Sequence, residues 1–334
     1  MFTYIVRRVL QLIPVLFGVS IFVFVGMHAI PGDVATLLLG DKGTPESLAR
    51  LRHELSLDQP IYVQYVRFAT EALKGNFGVS LRTRQPAFTE VWRALPMTAE
   101  LSLCAITFAI LVGVPVGTLA AVRQYSLFDS VSMIGVLVGV SMPIFWTALI
   151  LMMIFGGRLH WLPIGGILDE GLSLKRITGI HLVDSLLQGD LRAFASAARH
   201  LVLPTIALGS IAMATIARMT RASVLEVMGQ DYVRTARAKG LRESLVVYRH
   251  AFRNSLIPVV TVIGLQLSVL LSGAVLTETV FALPGLGRLA ITSILARDYA
   301  VVQAVVMVTA LAIVVINLVV DLLYACLDPR IRYT

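Results

Sequence analysis

The densest run of chemically distinctive side chains is Asp231-Tyr232-Val233-Arg234-Thr235-Ala236-Arg237-Ala238-Lys239-Gly240, which continues as far as Pro258. This stretch sets Arg234, Arg237, Lys239, Arg242, Arg249 and Arg253 against only Asp231 and Glu243, in a chain that is 57% hydrophobic and 14% charged. Two chemistries suit such a segment. Arginines near a membrane surface can bind anionic lipid, and a short helix can dock into a groove on a partner protein. Lipid binding accounts for the charge. It does not account for the small residues Thr235, Ala236 and Ala238, which let a partner backbone come close, nor for the glycines that frame them. Docking is therefore the preferred reading. Asp231 is expected to cap a helix after Gly229. Tyr232 to Lys239 gives about two turns, and Gly240 is placed to end them. A second helix is expected from Ser244 through Asn254, entering an apolar stretch at Pro258.

Other chemistries find little support. No G-x-x-x-x-G-K-[ST] run occurs, so the chain has no phosphate-cradling loop of its own. His28, His53, His160, His181, His200 and His250 are scattered and form neither H-x-x-x-H nor H-E-x-x-H, which argues against a built-in metal enzyme. Ser141, in Gly139-Val140-Ser141-Met142, has no evident histidine base, so nucleophilic catalysis lacks its second member. Cys104 and Cys326 both sit in apolar stretches and read as small buried hydrophobes. The net charge of +8 could suggest nucleic acid, but in so apolar a chain it points instead to basic cytoplasmic loops.

These residues must be positioned by membrane helices. The mean hydropathy of +0.82 is that of an integral membrane protein. About 20 mostly apolar residues cross the hydrocarbon core as a helix. Six stretches qualify: 9–30, 99–122, 131–155, 201–217, 258–281 and 301–325. The fourth is short and is expected to continue as a helix beyond Arg218. The first follows Arg7 and Arg8 but is too long for a signal-peptide core, so it reads as a retained anchor.

With the N-terminus in the cytoplasm, segments 1–8, 123–130, 218–257 and 326–334 hold 13 Lys/Arg and five Asp/Glu. The outer segments, about twice as long in total, hold 15 and 12. The denser positive charge lies inside, as the positive-inside rule requires. Both termini, and the basic stretch, then fall in the cytoplasm. The resulting organisation is a first span with its N-terminus (1–30), an outer helical segment (31–98), a core of five spans (99–325) containing the basic loop (218–257), and a tail (326–334).

Within the outer segment, Glu46–Leu55 and Pro60–Leu73 read as amphipathic helices. Pro14, Gly113, Pro115, Gly117, Pro143, Gly264 and Gly273 punctuate the spans, and Gly113-x-x-x-Gly117 is a close-packing pattern. Glu100, Glu278 and Asp321 are ionisable residues at span positions, where charge is costly and often functional. Glu278 is a candidate to line a translocation path, with an ion pair to Arg288 or Arg297 as its structural alternative. Met142, Phe145 and Trp146 are further candidates for the path, or else packing aromatics.

The Arg234–Gly240 stretch resembles the "EAA" loop of ABC-importer permeases, in the form found in the dipeptide/oligopeptide/nickel group. The resemblance runs through nearly the whole chain: Ile30-Pro31-Gly32-Asp33, Leu57-Asp58-Gln59-Pro60, Gly75-Asn76-Phe77-Gly78-Val79-Ser80, Ser141-Met142-Pro143-Ile144-Phe145-Trp146, Arg218-Met219-Thr220-Arg221, Thr277-Glu278-Thr279-Val280-Phe281, Pro284-Gly285-Leu286-Gly287 and Arg297-Asp298-Tyr299. Arg234 stands where the general loop motif has Glu, as is usual in the peptide group, and Asn76 stands where the family has Asp.

The resemblance implies an all-α, six-span permease of the type I ABC importer fold, with a helical outer segment between the first two spans. It implies a permease subunit for di- and tripeptides, or for nickel, glutathione or longer peptides. It also implies partners: a second, similar permease, two ATPase subunits that bind ATP and Mg, and a periplasmic binding protein. The chain itself would carry no cofactor and bind no nucleic acid. Asp231, Tyr232, Arg234, Thr235, Ala236, Arg237, Ala238, Lys239 and Gly240 would couple to the ATPase, and Asp33, Asp58, Asn76 and Ser80 would contact the binding protein. A stand-alone channel or secondary transporter is the other class, and no inverted repeat supports it.

Overall fold

The computed structural model describes residues 2–29, 44–54 and 58–327. Among these the protein is built from α-helices, with a lone bridge between Val79 and Pro86. In chain order they are α1 (Phe2–Ala29), α2 (Pro45–Glu54), α3 (Ile61–Leu73), α4 (Ala87–Val122), α5 (Leu127–Ser141), α6 (Ile144–Leu151), α7 (His181–Leu187), α8 (Leu191–Met228), α9 (Asp231–Ala238), α10 (Glu243–Leu245), α11 (Arg253–Val280), α12 (Leu286–Leu295) and α13 (Tyr299–Leu327). Wider π-helical turns extend α6 over Met152–Arg158 and join α10 to α11 over Val246–Phe252. A single helical run therefore leads from Glu243 to Val280.

Among the described residues, Ala87–Val122, Leu191–Met228, Glu243–Ser272 and Tyr299–Val320 are long and apolar enough to cross a membrane. The pair Leu127–Ser141 and Ile144–Arg158 meets the same test only as a bent unit, and α1 carries an apolar run over Leu10–Gly26. The expected third span is thus no straight helix: it turns by 107° at Met142-Pro143. Pro143 lacks an amide hydrogen and excludes the helical conformation from the residue before it. Met142 accordingly adopts φ −86°, ψ 129°, and the next helix starts afresh on the Pro143 carbonyl. The fourth span does continue past Arg218, in a helix ending at Met228 whose start is capped by Asp190 accepting from the Arg192 and Ala193 amides.

The chain folds as two compact units, Met1–Ala94 with Leu289–Val314, and Leu95–Arg288 with Val315–Thr334. In the second unit α8 is the central element, packing against α5, α6, α7 and α11. Its core joins Leu101, Ala105, Leu208, Ala212, Ile216 and Phe281. Glycines let backbones touch here. A side-chain carbon on Gly113 would lie 2.7 Å from the Met213 carbonyl, and one on Gly209 would lie 2.8 Å from the Ala105 carbonyl. The Gly113-x-x-x-Gly117 pattern thus marks a real contact between α4 and α8.

Several buried carboxylates are answered within the chain, while Ser102 Oγ, Thr277 Oγ1 and Asp298 Oδ1 are buried without a hydrogen-bond partner. Glu100, one of the ionisable residues at a span position, is buried and accepts from the His181 and Leu182 amides, so it caps α7. Asp184, within α7, accepts from the loop that precedes the helix: from the Thr178 amide (2.7 Å) and hydroxyl (2.6 Å) and from the Gly179 and Ile177 amides. Burial works against its charge, but these donors prevail and hold the carboxyl below its ordinary value.

Gly209→Val should destabilise the folded protein by about 1–3 kcal/mol through overpacking, read as a lower melting temperature in detergent. Asp184→Asn should cost about 1.5–3 kcal/mol at neutral pH, because a carboxylate met by four donors is lost. Since the folded pKa is depressed, the Asp184 contribution is complete above the ordinary carboxylate value of about 3.9 and is lost as pH falls through the lower folded value. The wild type and the Asn variant should therefore converge in stability under acid.

Candidate functional site

The basic stretch folds as a helical hairpin. Asp231 proves to be the first helical residue and not the cap: Gln230 precedes the helix in extended conformation, and no side chain caps it. The Val233 and Arg234 amides bond to the Gln230 carbonyl, so the turn after Gly229 starts the helix. Gly240 ends it as expected, in the left-handed region at φ +73°, with its amide on the Arg237 carbonyl.

Two links fasten α9 to the run that becomes α11. Arg237 Nη2 donates to Glu243 Oε1 at 2.7 Å, and its Nε lies 3.1 Å from Oε2, a fork that closes the Gly240 turn. That bond raises the Arg237 pKa, so the clamp stays charged. Asn254 Nδ2 donates to the Tyr232 hydroxyl at 2.9 Å, and that hydroxyl reaches the His250 carbonyl. Beneath these, Val233 and Ala236 pack on Val246 and Val227.

Ala236 is therefore not on the docking face. It is 5% exposed and turned inward, its small size serving the hairpin's own core. The outward face carries Asp231, Arg234, Thr235, Ala238 and Lys239. Beside it lies a hollow of about 540 Å³ lined by Gly240, Leu241, Arg242, Ser244, Leu245 and Tyr248. Leu241, Leu245 and Tyr248 were missed in the sequence; the spacing of three puts Leu245 and Tyr248 on one side of the helical run, while Leu241 lies in the turn before it. Also missed was Asp129, which takes Arg221 in a fork of 2.6 and 2.7 Å and ties α5 to α8.

The candidate path residues divide. Met142, Phe145 and Trp146 are exposed at the Pro143 bend, so the structure brings them together on a surface. Glu278 has no exposure at all and faces no open path. Thr98 Oγ1 donates to it at 2.6 Å, the Arg288 amide at 3.0 Å, and the Gly287 amide as well. Thr98 in turn accepts from the Leu286 amide, and a side chain on Gly285 would strike the carboxylate. The Arg288 contact that sequence suggested is thus made by its amide, while its guanidinium donates to the Ala282 carbonyl. The Thr277–Phe281 and Pro284–Gly287 stretches are one buried knot.

The outer candidates divide too. Asp33 lies outside the described residues. Ser80 is buried and donates to Asp298 Oδ2 at 2.5 Å, so burial removes it from any contact surface. Asn76 is exposed but uses both ends of its amide on the turn, donating to Glu71 and accepting from the Gly78 amide. Asp58 is exposed and hydrogen-bonds His53 at 2.9 Å, which holds its carboxyl below the usual value. Among the described residues no cluster of His, Cys, Asp and Glu could hold a metal ion.

This arrangement, a membrane helix bundle with a compact hairpin between two spans, has known counterparts. The chain belongs to the binding-protein-dependent transport system inner membrane component family, whose model matches residues 113–333, while the model of that family's N-terminal part matches residues 1–103. It is 47% identical over the full length of both chains to the dipeptide transport system permease protein DppB of Alkalihalophilus pseudofirmus. It is also 47% identical to the di/tripeptide transport system permease protein DppB of Pseudomonas aeruginosa, over 100% of this chain and 99% of that one. The glutathione transport system permease protein GsiC of Escherichia coli is 38% identical over the full length of both. A chain of the MetNI methionine ABC transporter shares the fold at a TM-score of 0.51 and 18% identity, covering 70% of this chain and 93% of its own.

Ala236→Leu should overfill the contact with Val246 and destabilise the hairpin by about 1–3 kcal/mol, read as faster proteolysis between Gly229 and Arg253. Ala238→Leu, on the exposed face, should leave that protection unchanged.

Proposed function

We propose that the chain is the permease subunit of an ATP-driven importer in the bacterial inner membrane, passing di- and tripeptides delivered by a periplasmic binding protein. The full-length identity of 47% to permeases named for dipeptides and di/tripeptides carries this reading, against 38% for the glutathione permease. In this reading six spans cross the bilayer: α1, α4, the bent pair α5–α6, α8, the run from α10 through α11, and α13. Both termini lie in the cytoplasm. A second, similar permease completes the path, and two ATPase subunits supply ATP and Mg chemistry that this chain's residues do not.

The hairpin is the coupling element. Its outward face and the hollow beside it offer a surface with apolar anchors, Leu241, Leu245 and Tyr248, and with Arg242 in the same lining. Aromatic anchors in such a setting dominate binding energy. An ATPase subunit that grips this surface differently in its open and closed states shifts the balance between permease conformations, since only differential binding can do so. Met142, Phe145 and Trp146 are the residues proposed to face the path, and Asp33, Asp58 and Asn76 those proposed nearest the binding protein.

The test is a complete importer in nanodiscs, with its ATPase activity measured against the loaded binding protein. Dipeptide should stimulate hydrolysis, while glutathione and nickel should not; stimulation by either of these and not by dipeptide overturns the cargo. Tyr248→Ala should weaken ATPase docking by more than about 1 kcal/mol and lower transport while the two permeases still assemble. Unchanged docking and transport would remove the hollow from the coupling surface.

A further inference from the structure

Helix α3 is fastened to α1, and the contacts fix how it is rolled. Phe24 of α1 takes Tyr65 and Phe68 at ring-centroid distances of 5.4 and 5.8 Å, so α3 crosses α1 near Phe24, inside the apolar run Leu10–Gly26. Tyr65 reaches toward the middle of α1, with its ring 6.0 Å from Phe17 and its hydroxyl 2.8 Å from that of Ser20. Gln64 reaches the other way, to His28 at 3.0 Å, near the end of α1.

At 3.6 residues per turn the rest of α3 then sorts itself. Tyr62, Val66, Ala69 and Leu73 form one stripe, on the side to which Tyr65 leans. Arg67, Glu71 and Lys74 form another, on the side of Gln64, with Lys74 Nζ 2.8 Å from Glu71. The apolar stripe is open: Tyr62 is 69%, Val66 58% and Leu73 89% exposed. On α1, Phe17, Phe22 and Val25 are exposed as well.

We propose that α3 lies in the bilayer interface beside α1, with Tyr62, Val66 and Leu73 turned to the acyl chains and Arg67, Glu71 and Lys74 turned to water. Three features agree on this roll. The apolar stripe faces the middle of α1, the charged stripe faces its end, and α3 sits at the level of residues that themselves require lipid. A helix so divided is the form that settles at a membrane surface. The outer segment, read from sequence as lying between the first two spans, is thus divided, with α3 belonging to the membrane. This rests on α1 crossing the bilayer, which the same experiment checks.

The test places a nitroxide on single cysteines at Tyr62, Val66, Leu73, Arg67 and Lys74, in a chain carrying Cys104→Ala and Cys326→Ala, within the assembled importer in nanodiscs. Collisions with oxygen, which concentrates in lipid, are compared with those of a water-soluble nickel chelate. Oxygen should dominate at positions 62, 66 and 73, and the chelate at 67 and 74. Dominance of the chelate at all five overturns the proposal in favour of a water-exposed helix. Protection from both reagents at 62, 66 and 73 overturns it in favour of a protein partner. A label at Phe22 on α1 separates the two readings: chelate access there means that α1 is outside the bilayer. As a gentler measurement, Tyr62→Trp fluorescence, corrected for Trp92, Trp146 and Trp161, should be quenched by lipids brominated on their acyl chains. Absence of quenching would also count against it.

Discussion

The close approach of α4 and α8 is the constraint on which the larger unit depends. Between helices in lipid there is no water to expel, so association comes from contact alone, and contact is best where backbones meet. Gly113, Gly117 and Gly209 remove the side chains that would hold α4 and α8 apart. With that distance fixed, α8 presents its remaining faces to α5, α6, α7 and α11. The placement of every one of these elements follows from how near α8 can come to α4.

A second rule then governs three carboxylates that this packing encloses: Glu278, Glu100 and Asp129 are each met by donors from another part of the chain. Glu278 takes Thr98 and the amides of the loop that follows α11, Glu100 takes the start of α7, and Asp129 takes Arg221. In each case the carboxylate joins elements distant in sequence, and its burial would be unfavourable if either side were missing. Such pairs specify which elements meet more than they add to stability. They explain why several motifs that look functional in a linear reading turn out to be two halves of one joint, as Ser80 and Asp298 are.

Much of this was legible in the sequence. Apolar run lengths located the four long apolar helices, and Gly240 marked the end of α9, because only a left-handed residue without a side chain ends a helix so cheaply. Composition could not tell that Pro143 would bend its span, since Pro14, Pro115, Pro204 and Pro258 all sit within continuous helices. Nor could spacing alone say which small residue of the hairpin points inward. Ala236 and Ala238 look alike in a list, and only the packing of Val233 on Val246 sets the roll that separates them. Glu278 was recognised as unusual, but its partners are the distant Thr98 hydroxyl and backbone amides, and the amides carry no signature in residue identity.

The uninterrupted helical run from Glu243 to Val280 makes the hairpin and the buried knot at Glu278 the two ends of one object. At 1.5 Å per residue this run is roughly 55 Å long. A lever of that length turns a tilt of about a tenth of a radian into a displacement of roughly 5 Å at one end relative to the other, comparable to one helical turn. Because the far end is anchored by Thr98 and the amides of Gly287 and Arg288, it acts as the fulcrum, and the hairpin end has the longer stroke. A small force on Tyr248 or Arg242 therefore acts with the full length of the span as its moment arm.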